Sequence, residues 1–157
     1  MNRGRGFTLI EMMVTVVLVG ILASVVVPLT QMTVQRGKEQ ELRRALREIR
    51  TAIDAYKRAG DEGRIYRSAS TTGYPPALST LVDGVPDVQD PGHRKIYFLR
   101  RVPRDPMNPN NELAAQSTWG LRAYASDVDR PREGDDVYDV YSLSSQIGLN
   151  GRPYREW

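Results

Sequence analysis

The sequence predicts an α+β fold, in which a long amino-terminal helix packs by its second half against a small antiparallel sheet. Two patterns indicate this fold. First, the apolar residues form one block near the amino terminus, and a stretch with helical amphipathic periodicity follows it. Second, short segments rich in aromatic and β-branched residues occur in the second half, between prolines and glycines. At 157 residues, 40% of them hydrophobic, the chain is long enough for one packed head.

The apolar block contains no charged residue from position 12 to position 29. Roughly 18 such residues are about what a helix needs to cross ~30 Å of hydrocarbon at ~1.5 Å per residue. We therefore expect a membrane-spanning assembly helix over residues 7–30, preceded by a leader over residues 1–6. A cleaved secretory signal is the alternative, because the leader contains two arginines, but the run exceeds the ~7–15-residue core of such signals.

Glu11 directly precedes the uncharged run. An ionised carboxylate in the apolar part of a bilayer costs about 2.5–3.5 kcal/mol on insertion scales, so it calls for a cation or a proton as partner. The alternative is a glutamate at headgroup depth, where the cost is lower and no partner is needed.

The segment Arg5-Gly6-Phe7-Thr8-Leu9-Ile10-Glu11 resembles the processing motif of type IV prepilins and of type II secretion pseudopilins. The resemblance implies that a membrane peptidase cuts between Gly6 and Phe7 on the cytoplasmic side and methylates the new amino terminus at Phe7. It also implies that Glu11 docks each subunit by neutralising the terminal amine of a neighbour. An amine and a carboxylate are each costly alone in a dry helix bundle and become tolerable as a pair.

Gly20 and Pro28 match positions at which the helix of this family can unwind in the filament. Their chemistry agrees, since proline removes a helix hydrogen bond and glycine adds backbone freedom. Flanking charge alone leaves the orientation open or reversed, because more basic residues follow the span than precede it. The motif implies a cytoplasmic amino terminus and a periplasmic head.

Residues 31–60 continue as an amphipathic helix with a core-facing stripe. The stripe comprises Leu42, Ala45, Leu46, Ile49, Ala52, Ile53 and Tyr56. With no strong breaker except Pro28 and Gly37, we expect one helix from about Thr8 to Ala59. On its outer face we expect i, i+4 ion pairs. The expected pairs are Glu39 with Arg43, Arg44 with Glu48, and Asp54 with Arg58.

The basic excess of this helix does not indicate a nucleic-acid partner. The chain has 22 basic and 19 acidic residues, a net charge of only +3. The basic residues of the helix are interleaved with acidic ones and lack aromatic neighbours on which bases could stack. A solvated or subunit-contacting face is the expected role.

Residues 61–157 form the expected head. Proline and glycine make it loop-rich up to residue 94, with one short helix over residues 76–82. Three strands are expected at residues 96–99, 121–125 and 137–143, and they are expected to form one small antiparallel sheet.

The head resembles the major, G-type pseudopilins more narrowly. The resemblance rests on Tyr97-Phe98-Leu99-Arg100-Arg101-Val102-Pro103-Arg104-Asp105-Pro106, on Tyr138-Asp139-Val140-Tyr141-Ser142-Leu143 and on a terminal tryptophan, Trp157. It implies a structural subunit that polymerises into a periplasmic filament driving protein export. The implied partners are further copies of the chain, minor pseudopilins, a prepilin peptidase, an inner-membrane assembly platform and, before assembly, membrane lipid. The alternatives are a surface type IV pilus subunit and a membrane-anchored periplasmic binding protein that does not polymerise.

No cofactor is expected. Many G-type pseudopilins bind calcium in an acidic loop after the last strand, but residues 144–151 contain no carboxylate. Weak candidate ligands lie upstream, although a solvated acidic loop is the commoner explanation for such a cluster. These candidates are Asp127, Asp129, Asp135 and Asp136. With no cysteine and only one histidine, His93, the chain also lacks the usual groups of a nucleophilic or zinc-dependent enzyme.

Overall fold

The computed structural model describes residues 8–68 and 71–157, with residues 25–30 described by their helical backbone only. The described part is α+β, as predicted. Its elements are α1 (Leu9–Asp61), α2 (Leu78–Asp83), β1 (Val85–Pro86), β2 (Lys95–Ile96), β3 (Trp119–Arg122) and β4 (Asp139–Ser142). Two short 3-10 helices, Ala115–Thr118 and Tyr154–Glu156, complete the described structure.

Helix α1 is continuous over 53 residues. This confirms the single helix expected from about Thr8 to Ala59 and shows that Gly20, Pro28 and Gly37 do not interrupt it. The chain divides into two compact units, Met1–Gly37 and Lys38–Trp157, and α1 contributes to both. In the described part of the chain, no helical segment combines the length and the hydropathy of a membrane span.

The core of the second unit forms around the predicted stripe of α1. The side chains of Leu42, Leu46, Ile49 and Ile53 are at most 2% exposed. They belong to one buried cluster with apolar residues from the rest of the head. Those partners include Leu78, Leu81, Leu99, Met107, Trp119, Val137, Val140 and Tyr154. The 3.6-residue periodicity of the sequence therefore identified the core-facing side of the helix correctly.

The strands differ from the prediction of one three-stranded sheet. Strands β1 and β2 form one antiparallel pair, and β3 and β4 form another. The predicted strand at residues 96–99 stops at Ile96. The reason is that the Phe98 and Leu99 N–H groups both donate to the carbonyl oxygen of Leu81 in α2, at 3.0 and 2.9 Å. Backbone donors that bond to a helix end cannot extend a sheet.

Pairing of β3 with β4 requires a glycine at position 120. Gly120 is opposite Tyr141 in the register of the two strands. A Cβ at Gly120 would lie 2.4 Å from the Tyr141 ring, so any other residue would displace this side chain. Absence of a side chain here lets the aromatic ring cover the strand.

Asp105 is a fully buried carboxylate of the head. It accepts hydrogen bonds from the Ser142 hydroxyl at 2.6 Å and from the Met107 N–H at 2.8 Å. Its own N–H donates to Thr118 Oγ1 at 3.1 Å. Burial raises the pKa of the Asp105 carboxyl, although the hydrogen bonds from Ser142 and Met107 oppose this rise.

We expect Asp105→Asn to gain stability relative to the native chain as the pH rises from about 4 to about 7. A raised folded-state pKa means that the stability linked to this carboxyl is fully present below the unfolded pKa. That stability is lost as the pH rises through the folded pKa. Asparagine has no charge to bury, and its amide oxygen still accepts from Met107. Urea unfolding midpoints of both proteins at the two pH values test this, and a difference that does not change with pH would contradict it.

Candidate functional site

Thr8 and Glu11 form a reciprocal cap at the start of α1. The Thr8 N–H donates to Glu11 Oε2 at 3.4 Å, and the Glu11 N–H donates to Thr8 Oγ1 at 3.3 Å. This arrangement is a capping box, which satisfies donors that the first helical turn leaves unpaired. The resemblance assigned the carboxylate to a neighbouring subunit, whereas the threonine-x-x-glutamate spacing is a sequence signal for this second, internal role.

The part of α1 that lies in the first unit exposes apolar side chains on all sides of the helix. From position 9 to position 22, eleven large apolar side chains are between 52% and 78% exposed. They are Leu9, Ile10, Met12, Met13, Val14, Val16, Val17, Leu18, Val19, Ile21 and Leu22. A helix that is apolar all round is typical of a buried position rather than of a surface. An exposed apolar surface of this size indicates contact with a membrane or with another protein chain.

The other predicted assembly residues lie in or next to this segment. A Cβ added at Gly20 would meet no atom within 4 Å, so the packing of the chain itself does not require a glycine there. Pro28 lies in the part of α1 described by its backbone only, and the helix continues through it. Gly6 and Phe7 lie outside the described residues.

The carboxy-terminal loop, residues 144–151, is held by backbone hydrogen bonds around Gly148. It contains no carboxylate side chain. The Gly148 N–H donates to the Arg152 carbonyl at 2.8 Å, and the Gly151 N–H donates to the Gly148 carbonyl at 2.9 Å. A Cβ at Gly148 would lie 2.5 Å from the Trp157 ring, so the loop needs a glycine at this contact. The ring of Trp157 in turn packs edge-on against Tyr154, with 5.1 Å between the ring centroids.

Glu39 of α1 holds this loop against the helix. Its Oε1 accepts the Leu149 N–H at 2.7 Å and the Tyr154 hydroxyl at 3.0 Å. The side chain is 6% exposed, so the expected pairing with Arg43 on the outer face is wrong. The physical reason is spacing, because Glu39 lies three and seven residues before Leu42 and Leu46 and therefore on the core side of the helix. That spacing was the signal available in the sequence.

Arg50 ties α1 to the last strand and to the end of the chain. Its guanidinium donates to Asp139 Oδ1 at 2.7 Å, to the Val140 carbonyl at 3.2 Å and to the Trp157 carbonyl at 2.8 Å. Asp139 also accepts from Arg122 at 3.1 Å. Arg50 therefore anchors β4 and the end of the chain, and Glu39 anchors the segment between them.

The four aspartates proposed as weak calcium ligands differ in burial and in hydrogen bonding. Asp136 is buried and accepts hydrogen bonds from the Tyr124 N–H, at 2.8 Å, and from the Thr72 hydroxyl. Asp127 accepts the Asp129 N–H at 3.2 Å, and Asp135 is exposed. Across residues 8–68 and 71–157, no group of three or more acidic or histidine side chains has an arrangement that could hold a metal ion. His93, the only histidine of the chain, is exposed in its loop.

We expect the thermal stability of the full chain in detergent to be the same with calcium and with a chelator. Glu39 binds the Leu149 N–H of the carboxy-terminal loop, and the loop itself has no carboxylate to offer as a calcium ligand. A ligand at a hundredfold excess over its Kd adds about 2.7 kcal/mol, which would raise the Tm by several degrees. A rise of that size with calcium but not with magnesium would contradict this expectation and direct attention to the aspartates.

The amino-acid sequence is similar to known proteins, both in its amino-terminal motif and over most of its length. The family model of the prokaryotic N-terminal methylation motif matches residues 1–27. The chain is 32% identical over 124 residues to the type II secretion system core protein G of Klebsiella pneumoniae, an alignment covering 76% of this chain and 81% of that protein. It is 33% identical over 132 residues to the protein of the same name from Pseudomonas aeruginosa, covering 83% and 88%.

A third similar protein extends the match over nearly the whole chain. It is the type II secretion system core protein G of Dickeya chrysanthemi, 29% identical over 155 residues, which covers 96% of this chain and 94% of that protein. No solved structure matches the chain at a significant level.

Proposed function

The chain belongs to the type II secretion system core protein G family, and we propose that it is cut after Gly6, methylated at Phe7 and polymerised through α1 into a periplasmic filament. Its function is that of a structural pseudopilin subunit of a type II secretion system, a class of proteins without enzymatic activity. The observation that supports polymerisation is the apolar surface of the first unit, which extends around the whole helix.

Two environments would cover this surface in turn. Before assembly, membrane lipid would surround residues 7–30, with the amino terminus in the cytoplasm and residues 61–157 in the periplasm. The uncharged run over residues 12–29 supports this stage. After assembly, the same side chains would pack against the helices of neighbouring subunits. The open space around Gly20 supports this second stage, because small residues let helices approach closely.

Glu11 would provide the charge that selects the position of each incoming subunit. Its Oε2 takes part in the cap with Thr8 at 3.4 Å, and within the described residues its Oε1 has no partner. The methylated amine of Phe7 on a neighbouring copy is the cation that the pairing hypothesis assigns to it. The attraction between the two charges offsets the desolvation cost that each of them has in an apolar bundle.

The remaining partners follow from this sequence of events. A prepilin peptidase would remove residues 1–6, and an inner-membrane assembly platform would insert the processed subunit into the filament beside minor pseudopilins. The head would then form the outer surface of the filament.

We expect the mature protein to begin at Phe7 with a methylated amine. The small Gly6 suits a protease subsite, and the leader with its two arginines cannot enter an apolar bundle. Intact-mass analysis of membrane-extracted protein tests this, and Gly6→Leu should leave the leader attached and prevent filament formation. Retention of Met1 in the native protein, or a new terminus near Ser24, would contradict the processing proposal.

A further inference from the structure

The second unit contains a cavity of about 420 Å³ in which four of the eight lining residues are arginines, here named the arginine cavity. Its lining includes Arg43, Arg47, Arg50 and Arg152, together with Trp157 and one acidic residue, Glu156. Four guanidinium groups around one small volume repel one another unless an anion lies between them. The composition of the lining therefore indicates an anionic occupant.

Two of these arginines have no partner of their own. Arg50 is bound to Asp139, and the Arg43 guanidinium lies over the Trp157 ring at 4.4 Å. Within the part of the chain that the structure describes, the side chains of Arg47 and Arg152 make no hydrogen bond and no ion pair. The indole N–H of Trp157 is buried and likewise has no acceptor there. Unpaired donors in one place are the recognition chemistry for a carboxylate or a phosphate.

Unpaired carboxylates occur on the same unit at a different place. Glu133 and Asp135 are exposed in the loop between β3 and β4, and within the described residues their carboxylates have no partner. Residues 127–136 carry five acidic and two basic side chains, so the loop is acidic overall.

The two sets of free charges are separated along α1. The arginine cavity borders residues 43–50 of the helix. Glu133 and Asp135 line a second cavity together with Tyr56 and Gly60, near the end of α1. Nine residues from position 47 to position 56 correspond to about 13 Å along a helix. One chain therefore cannot readily bring its own acidic loop to its own arginine cavity.

We propose that the arginine cavity of one subunit binds Glu133 and Asp135 of a second copy of this chain. The proposal rests on the polymerisation proposed above and specifies a contact between heads within it. The contact joins two different surfaces, so it is heterologous and repeats from copy to copy without closing, as a filament requires. Arginine–carboxylate pairs are directional and can be bidentate, which fixes the relative orientation of successive heads.

The first test is charge reversal in full-length protein, expressed in secretion-competent cells, with sheared filaments as the readout. We expect Arg47→Glu and Asp135→Arg each to abolish filaments while leaving processed protein in the membrane. The double variant Arg47→Glu with Asp135→Arg should restore filaments. Arg155→Glu is the matched control, because Arg155 is exposed and close in sequence to the cavity but does not line it, and it should assemble normally.

The second test uses the absence of cysteine from the native chain. With Arg47→Cys and Asp135→Cys in one chain, a short bis-maleimide should link neighbours into a ladder of oligomers in cells. Either single variant should give no ladder, because a heterologous contact brings two different positions together.

Each outcome decides the proposal. If the native chain forms no filament, the proposed polymerisation itself fails. If the native chain forms filaments and both reversed variants do so too, only the contact between heads is wrong. Loss of filaments with Arg47→Glu but not with Asp135→Arg would assign the cavity to another anion, such as a lipid phosphate, and would overturn the proposal. Failure of the double variant, together with no ladder, would overturn it as well.

Discussion

Replacement of Glu11 by leucine is expected to leave processed protein in the membrane and no filaments. The change removes the charge and makes the span more apolar, so insertion should be at least as favourable as in the native chain. Docking should fail, because the Phe7 amine of a neighbour would remain unpaired inside the bundle. Loss of one side of a buried pair costs about 3–5 kcal/mol, which is a factor of about a hundred to several thousand in each docking equilibrium.

The cap between Thr8 and Glu11 makes a sharper control necessary. Glu11→Gln keeps a side chain that can complete a capping box but removes the charge. Thr8→Ala breaks the cap but keeps the charge. If pairing with an amine is the cause, Glu11→Gln should fail to assemble like Glu11→Leu, whereas Thr8→Ala should still form filaments. Filaments from Glu11→Gln would show that the cap, and not the charge, is what assembly needs.

The second large effect is expected from Glu39→Ala, which should unfold the head at a lower temperature. The substitution removes the acceptor of the Leu149 N–H and of the buried Tyr154 hydroxyl. Loss of the acceptor costs about 1–3 kcal/mol for each of the two donors, so we expect a total loss of about 2–6 kcal/mol. For a domain of this size the Tm should fall by about 5–25 °C. Calorimetry or circular dichroism of the full chain in detergent measures this fall.

Two control variants distinguish loss of these hydrogen bonds from a general loss of helix stability. One lies elsewhere on α1, and the other is at position 39 itself. Glu48→Ala changes an exposed glutamate of α1 and should shift the stability by no more than about 0.5 kcal/mol. Glu39→Gln retains an oxygen that can accept both hydrogen bonds, so it should recover most of the loss. If Glu39→Ala melts like the native chain, the carboxylate does not hold the loop.

The sequence determined those features that depend on neighbours a few residues apart. The stripe from Leu42 to Ile53 and the single helix were predicted correctly, because helical periodicity is a local property of the chain. The processing motif was identified for the same reason, since it lies within seven consecutive residues. The family that this motif indicated agrees with the matches to the core protein G relatives.

Only the tertiary structure decided which groups meet across long stretches of chain. Glu39 contacts Leu149 and Tyr154, which are 110 and 115 residues away, and Arg50 contacts the end of the chain 107 residues away. No local pattern encodes such pairs. The first predicted strand, at residues 96–99, ended early for the same physical reason. Its Phe98 and Leu99 N–H groups donate to the Leu81 carbonyl of α2, a pairing that depends on how the packed core brings separate segments together.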